Sequence, residues 1–64
     1  MKCLIYMTDK NGVVWYFKSK YLSYNWTTDI DKAKRFPKEK DARTMIRELY
    51  LYDGGSYKFK YVEK

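Results

Sequence analysis

Two apolar runs, Cys3 to Met7 and Val13 to Phe17, flank the polar stretch Asp9-Lys10-Asn11-Gly12, and they read as the two strands of a β-hairpin, 2–8 and 13–18. With Gly12 left-handed at the end of a three-residue loop, Asp9 pairs with Val13. That register sets Met7 opposite Trp15, Ile5 opposite Phe17 and Cys3 opposite Ser19. Cys3, Ile5, Met7, Val13, Trp15 and Phe17 then share one apolar face, which should meet the core. The reverse face carries Leu4, Tyr6, Thr8, Val14, Tyr16 and Lys18. A two-residue Asn11-Gly12 loop would pair Ile5 with Lys18 and Thr8 with Trp15, mixing the faces, so the three-residue loop is preferred.

Beyond the hairpin, Tyr21 to Trp26 reads as a short edge strand with Leu22, Tyr24 and Trp26 on one side. Thr27-Thr28-Asp29-Ile30-Asp31 carries a helix-start signature: a threonine cap, then carboxylates where the unpaired amides favour negative charge. Pro37 ends that brief helix by disfavouring helical geometry at Phe36. A second helix begins at Lys38 or Glu39 and runs to about Tyr52. Ala42, Met45, Ile46, Leu49 and Tyr50 recur at helical spacing as its buried stripe, while Arg43 and Arg47 form a basic pair on the polar side. Asp53-Gly54-Gly55 supplies a glycine cap. Ser56 to Glu63 is a final strand with Tyr57, Phe59 and Tyr61 facing the core and Lys58, Lys60 and Val62 facing out; it should pair beside the first strand. The expected order is β-β-β-α-α-β, an α+β fold with helices on one face of an antiparallel sheet.

Sixty-four residues allow one small domain, spanning 1–64, whose core depends on its eight Tyr, three Phe and two Trp. A single cysteine and no histidine remove an intramolecular disulfide, a conventional zinc site and the Ser-His or Cys-His forms of nucleophilic catalysis. Cys3, in an apolar strand, reads as a core residue. Asp29 and Asp31 read as capping groups rather than cation ligands, and Gly54-Gly55 lacks the context of a phosphate loop. The expectation is therefore a non-enzyme with no catalytic residues, no cofactor and no metal. No secretory pattern follows Lys2 and no stretch approaches transmembrane length, so the expected location is the cytoplasm.

Fourteen Lys and Arg against eight Asp and Glu give a net charge of +6, which favours acidic partners. Tyr6, Tyr16, Lys18, Lys58 and Lys60 fall together on the reverse sheet face, and two uses compete for them. Aromatic rings and lysines on an open sheet can hold RNA or single-stranded DNA, the rings stacking on bases and the ammonium groups meeting phosphates. The same rings can pack on one another and on lysine stems, shielding the sheet or forming a protein-binding patch.

Trp26-Thr27-Thr28-Asp29, with Ala33, Phe36 and Ala42, resembles a pattern found in short accessory proteins of tailed bacteriophages and prophages. There a hairpin leads into a tryptophan, a capped short helix, a phenylalanine and a second helix containing alanine. Lys38 departs from the serine or aspartate cap more usual in that pattern. The resemblance spans about the first fifty residues and implies an accessory protein acting on a host or phage component; together with the charge and aromatic content, the expectation is a monomer or homodimer that binds a host macromolecule. An acidic protein surface is the leading expectation, nucleic acid the second, and a structural or self-associating role the third.

Overall fold

The computed structural model describes residues 2–62. Four antiparallel strands, β1 (Lys2–Thr8), β2 (Val14–Ser19), β3 (Asn25–Thr27) and β4 (Lys58–Val62), form one sheet in the order β3-β2-β1-β4, covered on one face by a single helix, α1 (Glu39–Asp53). The α+β class stands, and the last strand does lie beside the first. Glu63, expected to end that strand, falls outside the described residues.

The turn has the predicted three-residue form. Asp9 N–H donates to the Val13 carbonyl at 2.9 Å, and Gly12 takes φ 81. Asp9 is the knot of this turn. Its Oδ1 accepts from the Asn11 and Val13 amides at 2.8 and 3.0 Å, and its Oδ2 accepts the Trp15 indole N–H at 2.9 Å. These donors, the indole first, hold the Asp9 carboxyl below its usual range. Met7 pairs with Trp15 as expected.

The other end of the hairpin departs from expectation. The pairing of Cys3 with Ser19 is absent, because Cys3 exchanges both backbone hydrogen bonds with Phe36, at 3.0 and 2.7 Å. Lys34 N–H meanwhile donates to the Phe17 carbonyl at 2.9 Å. Residues 34–36 therefore wedge between the diverging ends of β1 and β2. Pro37 supplies the cause: it forces Phe36 into extended geometry, which leaves that residue's N–H and C=O free for a strand neighbour.

The predicted first helix shrinks accordingly to one 3-10 turn, Ile30–Lys32, with Ala33 already extended. Asp29, not a threonine, caps it, its Oδ1 accepting from Asp31 N–H at 3.0 Å; Thr27 Oγ1 accepts from Asp29 N–H at 3.0 Å. Arg35 fixes the turn by donating to the Ile30 and Ala33 carbonyls at 2.9 and 3.0 Å. The expected third strand is also shorter. Residues 21–24 form a bend in which Leu22 takes φ 66, and pairing begins only at Asn25.

The second helix runs as predicted from Glu39 and stops at Gly54, which adopts φ 73 and donates to the Tyr50 carbonyl at 2.7 Å. Ala42 and Leu49 are its buried contacts, with Met45 and Ile46 at the margin. They meet Cys3, Ile5, Phe17 and Phe36, and each fully buried Ile, Leu or Phe among them stabilises the fold by about 1.5–3 kcal/mol. Phe36 stacks on Phe17 with centroids 6.2 Å apart. Because α1 packs on β1 and β4, the turn end of β2 stays uncovered. Val13, expected in the core, is exposed, and Met7 and Trp15 are half-buried. Tyr50 and Tyr61, also assigned to the core, are exposed at the margins instead.

Candidate functional site

Two groups of cations and aromatics lie on either side of β4. On the reverse face Leu4 pairs with Lys60 and Tyr6 with Lys58 across the β1–β4 ladder, and Tyr6 pairs with Tyr16 across β1–β2. The Lys60 ammonium sits over both tyrosine rings, 5.6 Å from the Tyr6 centroid and 5.5 Å from that of Tyr16. A cation so placed is attracted by both ring quadrupoles. Leu4, assigned to an amphipathic surface, is wholly buried at 0 % exposure although it faces away from the helix. The reverse face is closed at its centre. Lys18 takes no part in this cage: it is the extra residue of a bulge between Phe17 and Ser19 and points to solvent.

On the other side of β4, between that strand and α1, runs an open groove of about 740 Å³ lined by Arg43, Ile46, Arg47, Tyr50, Tyr57, Phe59 and Lys58, with Tyr6 at its edge and Gly55-Ser56 at its end. Arg43 and Arg47, one helical turn apart, thus face the same space as Lys58. The sequence had placed these cations in two separate patches. None of the groove's lining residues carries a carboxylate. Arg43 is partly committed: its Nε donates to Glu39 Oε2 at 2.5 Å, and its guanidinium lies 5.3 Å from the Phe59 centroid. Glu39 also accepts the Tyr61 hydroxyl. Arg47 and Lys58 have no ion-pair partner among the described residues.

The groove's end wall is held by contacts of Tyr57. The Tyr57 ring stacks on Trp26, centroids 5.4 Å apart and planes inclined by 17°, and its hydroxyl donates to Asp53 Oδ2 at 2.6 Å. Burial first, then the carboxylate beside it, push the Tyr57 phenol up to about 12, while the same hydrogen bond holds the Asp53 carboxyl below its usual value. Gly55 makes this packing possible, since a Cβ there would come within 2.8 Å of the Tyr57 hydroxyl. Ile46, Tyr50, Tyr57 and Phe59 are the lining residues that sequence periodicity assigned to the core; the glycine pair before Tyr57 was the available hint of a close backbone approach.

A smaller depression lies where the 21–24 bend meets α1. Glu48 ties the two together, pairing with Lys20 and accepting the Tyr24 hydroxyl at 2.8 Å, while the Tyr24 ring meets Tyr52 edge-on at 4.8 Å. These contacts lower the Glu48 carboxyl and raise both Lys20 and Tyr24. Cys3 is buried, its thiol raised by desolvation and directed to the Phe36 carbonyl at 3.8 Å. Among the described residues no three His, Cys, Asp or Glu side chains gather into a possible metal site, and no helix is long and apolar enough to cross a membrane.

No protein-family model matches the chain, and comparisons with curated proteins and with solved structures find no match.

Proposed function

We propose that this protein is a cytoplasmic binding module, without chemistry of its own, that attaches through the groove between α1 and β4 to an acidic surface of another protein and alters that protein's activity by occupancy. The observation that carries this reading is the convergence of Arg43, Arg47 and Lys58 on one groove with no carboxylate in its lining. Complementary charge steers a partner in and selects against wrong ones, while Tyr50, Tyr57 and Phe59 supply aromatic area of the kind in which interfaces concentrate their energy. The likeness of the Trp26-Thr27-Thr28-Asp29 region to phage accessory proteins makes a host protein the expected bearer of that surface.

Nucleic-acid binding on the reverse face is the weaker reading. Base stacking needs free ring faces, and Lys60 lies over those of both Tyr6 and Tyr16. Titration of the protein with a fluorescent polyglutamate peptide and with single-stranded DNA and RNA, at low and near-physiological salt, separates the two. The proposal expects peptide binding that is lost in Arg47→Glu and Lys58→Glu and kept in Tyr16→Ala. Tighter binding of the oligonucleotides, weakened by Tyr16→Ala, would replace it.

A further inference from the structure

The groove borders a second, unused recognition element. β4 is the outermost strand on its side of the sheet, and its alternate N–H and C=O groups face away from β1. Among the described residues no backbone hydrogen bond outside the β1–β4 ladder reaches Lys58–Val62. A strand edge of this kind is a template for another extended chain. The side chains around it specify which chain. On the reverse face a fifth strand would run beside Lys58 and Lys60; on the helix face it would enter the groove, meeting Ile46, Tyr50 and Phe59 with Arg43 and Arg47 above.

We infer that the β4 edge and the adjoining groove bind an extended segment of a partner protein in which acidic and apolar residues alternate, adding it to the sheet as a fifth strand. The segment's acidic side chains lie on the reverse face, the one opposite Lys58 making the charge pair while Lys60 stays over its two rings; its apolar side chains fill the groove, and a carboxylate at either end of the apolar row reaches Arg47. Opposite charges directly across a strand pair stabilise it, and like charges destabilise it. The same rule disfavours a second copy of this chain as the occupant. Two β4 edges related by a two-fold axis anywhere between Lys58 and Lys60 would set a lysine opposite a lysine.

The inference rests on the acidic-partner reading above and adds the strand geometry to it. The test uses the intact, isotope-labelled protein and a fluorescent peptide of alternating Glu and Val. Its controls are the same peptide with alternate backbone amides N-methylated, an alternating Lys-Val peptide and a single-stranded oligonucleotide. Binding of the Glu-Val peptide is expected to fall at least about tenfold on N-methylation, as loss of two or three backbone hydrogen bonds requires. Lys58→Glu and Arg47→Glu should each weaken it by a similar factor, and the peptide should slow hydrogen exchange at the β4 amides that point away from β1. If the N-methylated peptide binds as well as its parent, or the β4 amides gain no protection, strand addition is wrong while the acidic-partner reading survives. If neither acidic peptide binds even at low salt, or the Lys-Val peptide or the oligonucleotide binds better, both fall. A dimer of the free protein with its β4 amides already protected would likewise overturn the inference.

Discussion

Lys58 and Lys60 leave the same face of the same strand, two residues apart, and end in opposite circumstances. Lys60 turns inward over the rings of Tyr6 and Tyr16, across from the buried Leu4. Lys58 stands at the rim of the groove and shares it with Arg47, and neither has an ion partner among the described residues. The difference lies in what surrounds each charge. Lys60 has two ring faces that its ammonium and stem complete, so removing it exposes structure. Lys58 and Arg47 have no such contact among the described residues and are available to a charge outside the chain. Sequence composition weighs the two lysines equally; the geometry separates a stabilising charge from an available one.

The sharpest way to break that distinction is to remove what lies under the cage. Leu4→Ala should cost about 2–5 kcal/mol in urea unfolding, the usual range for a large-to-small change at a fully buried site. Affinity of the folded protein for an acidic peptide should be unchanged. A cost below about 1 kcal/mol would mean that the reverse face is open and that Tyr6 and Tyr16 are free for other work.

The groove's end wall gives the next largest effect. Gly55→Ala should destabilise by about 1–3 kcal/mol, because the new methyl must displace the Tyr57 ring from its place against Trp26. Acidic-peptide binding should weaken with it, since Tyr57 lines the groove. Tyr57 also contributes to the loss of stability at alkaline pH. Its phenol is raised from 10.0 to about 12 in the folded chain, so the folded state holds the proton more tightly than the unfolded one. The resulting stability is fully present below pH 10 and is lost as pH rises towards 12. Tyr57→Phe should flatten that alkaline decline in a denaturant series at several pH values. The contribution of Asp53, whose carboxyl is lowered, runs the other way: it is present above the usual carboxylate range and lost as pH falls through the depressed value.

How far the sequence foretold these regions depends on the range of the interactions that build them. The turn, the Gly54 cap and the span of α1 follow from chemistry within a few residues: Asp9 and Gly12, a left-handed glycine, apolar positions at helical spacing. The partner of β4 was legible from economy of topology. Insertion of residues 34–36 was not. Pro37 announces that a helix must stop at Phe36, yet nothing local says that the freed backbone will bond to Cys3, so the expected helix and the Cys3–Ser19 pair both fail together. The groove lies between these cases. Arg43, Arg47 and Lys58 were each visible as surface cations, but their convergence depends on where α1 crosses the sheet, which the contacts of Ala42 and Leu49 decide. Periodicity also cannot tell the middle of an apolar stripe from its margin, and Tyr50 and Tyr57 lie at the margin.

The smallest effect tests the comparison most directly, because it sets the two lysines against each other. Lys60→Ala removes a cation shared by two rings and the stem that lies across from Leu4, so it should cost about 0.5–1 kcal/mol of stability. Lys58→Ala, at an exposed position with no ion partner among the described residues, should stay within about 0.5 kcal/mol of the parent. For acidic-peptide binding the order should reverse, Lys58→Ala weakening it more than Lys60→Ala. Both substitutions lower net charge by the same amount, so a purely long-range attraction would make them equal in binding. Equal losses would assign the affinity to overall charge and leave the groove without a special role; the crossed pattern, one lysine in stability and the other in binding, is what the cage and the groove require.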